Sequence, residues 1–225
     1  MQRRTLLLAV IHLALAASPA AWARSDHAIR RNNFGAELLR QGKLREAIAE
    51  FRQAVTADPG YAAAWRNLGF ALDKQGQVDD AVAAYQKALQ LEPEPKTHNN
   101  LGVLYDKQGR SAEAIQEFEK ALKLDPANAS VRKNLETARQ NQGIMRERND
   151  RIAQAQKEFE ARSRDPRAAY NLARVYASFD EKDHALTWLK KALDLGFDDP
   201  AFVRSDPVMA GLRNDPRFTQ ILERR

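Results

Sequence analysis

Apolar residues recur at helical spacing through much of this chain, in runs short enough to pair rather than to stand as long helices. The stretch Trp65 to Pro93, WRNLGFALDKQGQVDDAVAAYQKALQLEP, shows the unit. It reads as two amphipathic helices joined by a tight turn at Gly76, and its neighbours on both sides repeat it almost position for position. Asp58-Pro59, Glu92-Pro93 and Asp125-Pro126 close three successive copies, their prolines 34 and then 33 residues apart. A period in this range predicts a stacked solenoid. One helix pair cannot bury its own apolar face, so each must lean on the next.

Superposing the copies shows what is kept. The first helix carries a large apolar residue followed by glycine: Phe34-Gly35, Leu68-Gly69 and Leu101-Gly102. A second glycine ends it: Gly42, Gly76 and Gly109. The second helix carries an alanine (Ala47, Ala81, Ala114), an aromatic (Phe51, Tyr85, Phe118) and then Ala54-Val55, Ala88-Leu89 and Ala121-Leu122. Helices about 8–10 Å apart need small residues where they cross, and glycine or alanine stands there each time. Glycine within a helix costs roughly 1 kcal/mol relative to alanine, so Gly35, Gly69 and Gly102 point to close approach. The terminal glycine suits the left-handed conformation that stops a helix.

This pattern resembles the tetratricopeptide repeat family, with its consensus of Trp, Leu-Gly, Tyr, Ala, aromatic, Ala and Pro. The second copy departs only at Leu72, where the consensus has Tyr. His98 and Arg31 stand in place of the Trp in the third and first copies. The resemblance implies an all-α fold, a right-handed superhelical solenoid of helix-turn-helix repeats at 28–61, 62–94 and 95–128. It also implies an interaction module whose inner groove is lined by the first helix of each repeat.

The first 23 residues differ. Arg3 and Arg4 form a basic start, Leu6 to Ala17 an apolar run, and Ala21-Trp22-Ala23 has the small-x-small form of a signal-peptidase site. The run is too short for the roughly 20 residues that span a bilayer. A cleaved signal and a periplasmic or secreted bacterial protein are therefore expected. General secretion fits better than the twin-arginine route, which Gln2 and Leu6 match loosely. The absence of cysteine argues against a lipoprotein and against disulfides. The net charge of +6 falls when the signal's two arginines leave. That mild balance, with no basic-aromatic motif, gives no reason to expect nucleic acid.

Arg24 to His27 reads as a polar lead-in. A fourth copy begins at Val131 and Asn134-Leu135 and then fails, with Glu136 where a small residue belongs. Residues 129–164 read as a degenerate repeat or a long charged helical linker, and Gly143 leaves open whether it is one helix or two. A repeat-like pair returns at 165–225 with Tyr170-Asn171-Leu172-Ala173, Tyr176, Ala185, Leu189 and Ala192-Leu193. Asp180 stands where glycine ended the earlier first helices, so this turn is expected to be built differently. Asp199-Pro200, Asp206-Pro207 and Asp215-Pro216 open short helices. Phe202, Val203, Met209, Leu212, Phe218 and Leu222 are expected to fold onto the last pair as an apolar lid.

Catalysis is not expected. His12, His27, His98 and His184 are scattered, acid pairs sit at helix starts, and no nucleophile elbow or phosphate loop occurs. His98 reads as a partly buried packing residue. No cofactor or metal is expected either. The stronger candidate surface is the groove. Asparagine precedes the large apolar position in every copy: Asn33, Asn67, Asn100, Asn134 and Asn171. An amide both donates and accepts, so the row would pair with a peptide backbone, or else tie neighbouring helices; both readings stand open. Arg66, Lys96, Lys133 and Arg167 make one strip positive, with Phe70 and Tyr170 beside it. Relatives that clamp the C-terminal carboxylate of heat-shock chaperones use Lys, Asn, Asn, Lys and Arg. Here Asn67 and Lys96 match that clamp, whereas Asn32, Ala36 and Asn100 depart from it. The reading is an interaction scaffold of the cell envelope with a protein or peptide partner. The rival is an envelope enzyme accessory or polysaccharide-binding module, disfavoured by the scarcity of groove aromatics.

Overall fold

The computed structural model describes residues 19–223, which are helical with no strand among them. The basic start and apolar run of the expected signal, within residues 1–18, lie outside the described residues. The helices are α1 Pro19–Arg40, α2 Leu44–Ala57, α3 Ala62–Gln75, α4 Val78–Leu91, α5 Pro95–Lys107, α6 Ser111–Leu124, α7 Ala129–Ala161, α8 Pro166–Ser178 and α9 Lys182–Asp194. Then come α10 Pro200–Ser205, a 3-10 helix at Pro207–Leu212, and α11 Pro216–Glu223. Two compact units result, residues 1–141 and 142–225, and α7 contributes to both. Arg24 to His27, expected as a lead-in, belong to α1. Nothing there stops a helix, and Asp26 pairs with Arg30 one turn on.

The first unit is three antiparallel pairs, α1 with α2, α3 with α4 and α5 with α6, followed by the opening turns of α7. The crossings explain the repeated residues. A Cβ added to Gly35 would stand 2.8 Å from the Phe51 ring, on Gly69 2.9 Å from Tyr85, and on Gly102 2.7 Å from Phe118. Each ring fills the space a side chain at the glycine would take, and all three are among the largest fully buried side chains. Burying one such ring stabilises the fold by roughly 1.5–3 kcal/mol. Leu68 and Leu101 are buried at the register where Phe34 is 52% exposed. They lean on a preceding pair, and among the described residues α1 has none.

Each pair is closed by the same turn. At Gly76 (φ 81°) the N–H bonds Asp73 O at 3.0 Å, and the Gln77 N–H bonds Leu72 O at 3.0 Å. The expectation for Asp180 is corrected. Its φ is 58°, its N–H bonds Ala177 O at 3.1 Å, and the Glu181 N–H bonds Tyr176 O at 3.1 Å. The turn is built as the others are, because aspartate is one of the few L-residues that tolerates the left-handed region.

The fourth copy does not close. Gly143 follows Asn134 at the interval by which Gly42 follows Asn33, yet α7 runs through it as one helix of 33 residues. What is missing is the crossing. Glu136 holds the register of Gly102, Arg148 that of Ala114 and Ile152 that of Phe118. A charged side chain at the point of closest approach would keep such a hairpin apart, so the helix continues.

In the second unit the later half of α7 packs Ile152 and Ala155 into the core made by α8, α9 and the tail. Phe159 meets Trp188 edge-on, with centroids 4.7 Å apart. Val203, Met209, Leu212, Phe218 and Leu222 are buried, as a lid requires. Phe202 is the exception, 47% exposed. The Asp-Pro pairs act as caps: Asp199 accepts the Phe202 N–H at 2.8 Å, Asp206 the Val208 N–H at 2.9 Å and Asp215 the Arg217 N–H at 2.9 Å.

Candidate functional site

In the first unit the first helices lie side by side, α1 against α3 and α3 against α5. The Asn67 amide donates to Asn32 Oδ1 at 2.8 Å, and the Asn134 amide to Asn99 Oδ1 at 2.9 Å. Two turns further on, Lys107 Nζ meets Asp73 at 3.2 Å, and the Asn141 amide meets Asp106 at 3.3 Å. Neighbouring first helices are thus stitched together, twice between α5 and α7, and two of the five asparagines are stitches. Asn100 has no asparagine opposite, since Arg66 holds that register. Arg66 pairs instead with Glu94, which also accepts the Thr97 hydroxyl at 2.8 Å. Burial pulls the Glu94 carboxyl upward, but the Thr97 hydroxyl, Arg66 and the Lys96 charge outweigh it and hold its pKa below the ordinary value.

That leaves a smaller set facing solvent. Asn33, Lys96 and Lys133 are exposed, and Asn100 is half-buried beside the Tyr85 hydroxyl. Burial, then the Asp73 charge, pushes that hydroxyl's pKa up. Phe70 is exposed, with the Lys74 ammonium 5.4 Å from its ring centre. The positive strip read from the sequence is therefore weaker than its residues suggest, because Arg66 is neutralised where it stands.

Asn171 belongs to the second unit, and its surroundings differ. Its amide reaches Glu158 at 3.5 Å. Three hollows of about 350, 580 and 380 Å³ are each lined in part by Asn171. The first lies between the later half of α7 and α8, the second by Arg162 and Arg167, and the third between α8 and the segment Phe197–Phe202. The wall of the third is fixed by Asp206, which is 4% exposed. Asp206 accepts the Tyr170 hydroxyl and faces Arg174 Nε, both at 2.8 Å. Burial would raise the Asp206 pKa; the Val208 N–H, the Tyr170 hydroxyl and Arg174 together hold it below the usual carboxylate range. The Tyr170 hydroxyl is pushed up by burial first and by Asp206 second. Its ring stacks on Phe197 at 4.4 Å.

The sequence pointed to Arg167, Tyr170 and Asn171 but not to Arg174, Phe197 or Asp206. Arg174 was available as a signal, since it falls two helical turns from Arg167 on the face of Asn171. Asp206 was not, because as half of an Asp-Pro pair it reads as a cap and nothing more. His98 is buried, its Nδ1 2.6 Å from Glu117 Oε2, and Lys120 reaches the same carboxylate at 2.7 Å. Among the described residues no group of three or more His, Asp or Glu side chains is gathered as a metal would need, and no helix is long and apolar enough to cross a membrane.

Comparison with known proteins is consistent with this geometry. The family model described as tetratricopeptide repeat matches residues 32–94, 71–129 and 142–200. No curated protein matches the chain. Among solved structures, the first TPR of Spaghetti (RPAP3) bound to HSP90 peptide SRMEEVD is 23% identical, covering 53% of this chain and 95% of that one, with a TM-score of 0.52. The second TPR domain of human RPAP3, in complex with HSP70 peptide SGPTIEEVD, is 25% identical over 52% and 98%, with a TM-score of 0.50. The MamA protein is 19% identical over 80% and 96%, also at 0.50. These likenesses show the fold, a solenoid of such repeats.

Proposed function

We propose, on the premise that the chain belongs to the tetratricopeptide repeat family, that it is a non-catalytic scaffold of the bacterial cell envelope. It holds a peptide or helix of another protein along the first helices of its first unit. The observation that carries this is the division of labour among the asparagines. Asn67 and Asn134 are used to fix the spacing of the helices, while Asn33, Phe70, Lys96 and Lys133 are exposed and Asn100 is half-buried at the Tyr85 hydroxyl. First helices held at fixed spacing, with an exposed amide, cations and one aromatic, suit an extended acidic partner. The human RPAP3 domain, similar to half of this chain, is itself in complex with a peptide. Export rests on the signal-like start, and periplasmic placement follows from it.

Binding, stability and N-terminal sequencing test the reading. A partner recovered from envelope extract should bind the Asn100→Ala, Lys96→Glu double variant at least tenfold more weakly, with unchanged helicity by circular dichroism. The charge component should shrink as salt rises, since exposed charges are screened over about 10 Å at 0.1 M. Asn67→Ala should instead lower stability by about 1–3 kcal/mol, because it leaves buried Asn32 short of a partner. Equal binding by the double variant removes the site from this strip. N-terminal sequencing of envelope material should begin at Arg24; an intact Met1 terminus overturns the export reading.

A further inference from the structure

The hollow between α8 and the tail has a chemistry that the strip of the first unit lacks. Its walls are Arg167, Tyr170, Asn171 and Arg174 from α8, with Phe197, Asp199 and Phe202 from the tail. Phe197, stacked on Tyr170, and Phe202, its centroid 5.9 Å from that of Tyr170, form an aromatic surface. Phe202 leaves nearly half of itself to solvent in a segment whose other large apolar side chains are mostly buried. The volume of about 380 Å³ lies within the range of about 300–1,000 Å³ usual for ligand sites.

The charges around it are unequally committed. Asp206 neutralises Arg174 and caps the 3-10 helix, and Asp199 is engaged on the start of α10. The Arg167 guanidinium is exposed and has no partner among the described residues. Asp199 keeps its negative charge while it caps α10, so the hollow holds charges of both signs; Arg167 is its cation without a carboxylate partner, set beside an aromatic shelf and a half-buried amide. The hollow does not end there. The adjoining one of about 580 Å³ shares Arg167 and Asn171 and continues toward Arg162 and Asp165. Continuity in that direction suits an extended chain better than a compact small molecule.

We propose that this hollow is a second binding site, independent of the strip in the first unit, for a peptide segment that carries an acidic side chain next to an aromatic one. The aromatic ring packs on Phe202 and Phe197, the carboxylate pairs with Arg167, and the Asn171 amide takes the peptide backbone. An arginine fork matches a carboxylate through two parallel hydrogen bonds, and a ring stacked or edge-on to Phe202 adds to the apolar area removed from water.

The test uses the full chain and a fluorescein-labelled heptapeptide, blocked at both ends, with two glutamates flanking one phenylalanine. Anisotropy should show saturable binding. Arg167→Glu and Phe202→Ala should each weaken it tenfold or more, as should replacing the peptide's glutamates by glutamine or its phenylalanine by alanine. Lys87→Glu, an exposed change on α4 outside both proposed sites, should leave it unchanged. Arg167→Gln and Phe202→Leu, which keep bulk, should move affinity in the same direction by less, so an unfolded alanine variant does not leave the question open. No saturable binding, equal affinity in Arg167→Glu, or an equal loss in Lys87→Glu overturns the proposal. So does a neutral oligosaccharide, maltotetraose, that binds to the same residues while the peptide does not.

Discussion

The two units solve one packing problem with different pairs. In the first, a ring lies on a glycine: Phe51 on Gly35, Tyr85 on Gly69, Phe118 on Gly102. In the second, the same registers hold Ala173 and Leu189, both fully buried. One methyl group is added on one helix and a ring gives way to a branched chain on the other. The crossing thus constrains the summed size of the pair rather than either residue. Between the units, Glu136 and Ile152 satisfy neither solution, and there the helix stays open. The difference extends to how the units end. The first is closed by its own successive copies, whereas the second has one pair and is closed by a tail anchored on Asp206.

The largest expected break in this comparison is Phe118→Ala, at about 3–5 kcal/mol, with Leu189→Ala at about 2–5 kcal/mol. Variants keeping a single tryptophan separate them: Trp65, whose indole bonds Pro59 O at 3.0 Å, reports the first unit, and Trp188 the second. If each substitution shifts only its own reporter's urea midpoint, the units unfold separately; a common shift makes them one cooperative body.

Asp206→Asn comes next, at about 1.5–3 kcal/mol, since hydrogen bonds to a charged group are being removed. Its pH dependence has a definite sign. The folded Asp206 pKa is below the ordinary value of about 3.9, so the unfolded chain takes the proton first. Asp206 therefore contributes stability above about pH 4, and that contribution fades as pH falls through the folded pKa. Urea midpoints reported by Trp188 from pH 6 to 3 should fall more steeply in the parent than in Asp206→Asn. Parallel curves would remove Asp206 from its anchoring role.

Gly102→Ala should cost about 1–3 kcal/mol by overpacking against Phe118. Adding Phe118→Leu converts the crossing to the pair used in the second unit. The double variant should be at least as stable as Gly102→Ala alone, a coupling that a thermodynamic cycle measures. Simple additivity would mean that the two crossings are not variants of one solution. The same substitution at Gly143, where a Cβ meets nothing within 4 Å, should change sign and stabilise α7 by about 1 kcal/mol. Smallest is Asp180→Gly, which relieves a left-handed aspartate and should raise stability by about 0.5 kcal/mol. A clear loss there would show that the aspartate side chain, not backbone strain, sets the turn.

Much of the fold was legible because the repeats write it several times over. Small residues at a crossing, a ring opposite and a glycine at the turn are local demands of helix geometry, and each leaves a mark at a fixed interval. Even the failure of the fourth copy was visible in Glu136. The candidate sites were less legible. Asn67 and Asn100 are the same residue at the same register, yet one stitches two helices and the other does not. The difference is whether asparagine or arginine stands on the preceding first helix, next to it in space but far along the chain. Arg66 belongs to a positive strip in the sequence, but in the fold Glu94 pairs with it.

The sequence by itself determined the helix pairs, their turns and the pairs of residues at each crossing, because these depend on contacts repeated within one period. Only the tertiary structure decided which amides and cations remain free, why Phe202 lies on a surface rather than in the lid, and that Asp206 joins α8 to the tail. Those outcomes depend on partners 28 to 36 residues away, meeting at distances of a few ångströms. Burial fixes which polar groups must be satisfied, and only the packed chain shows which neighbour satisfies them.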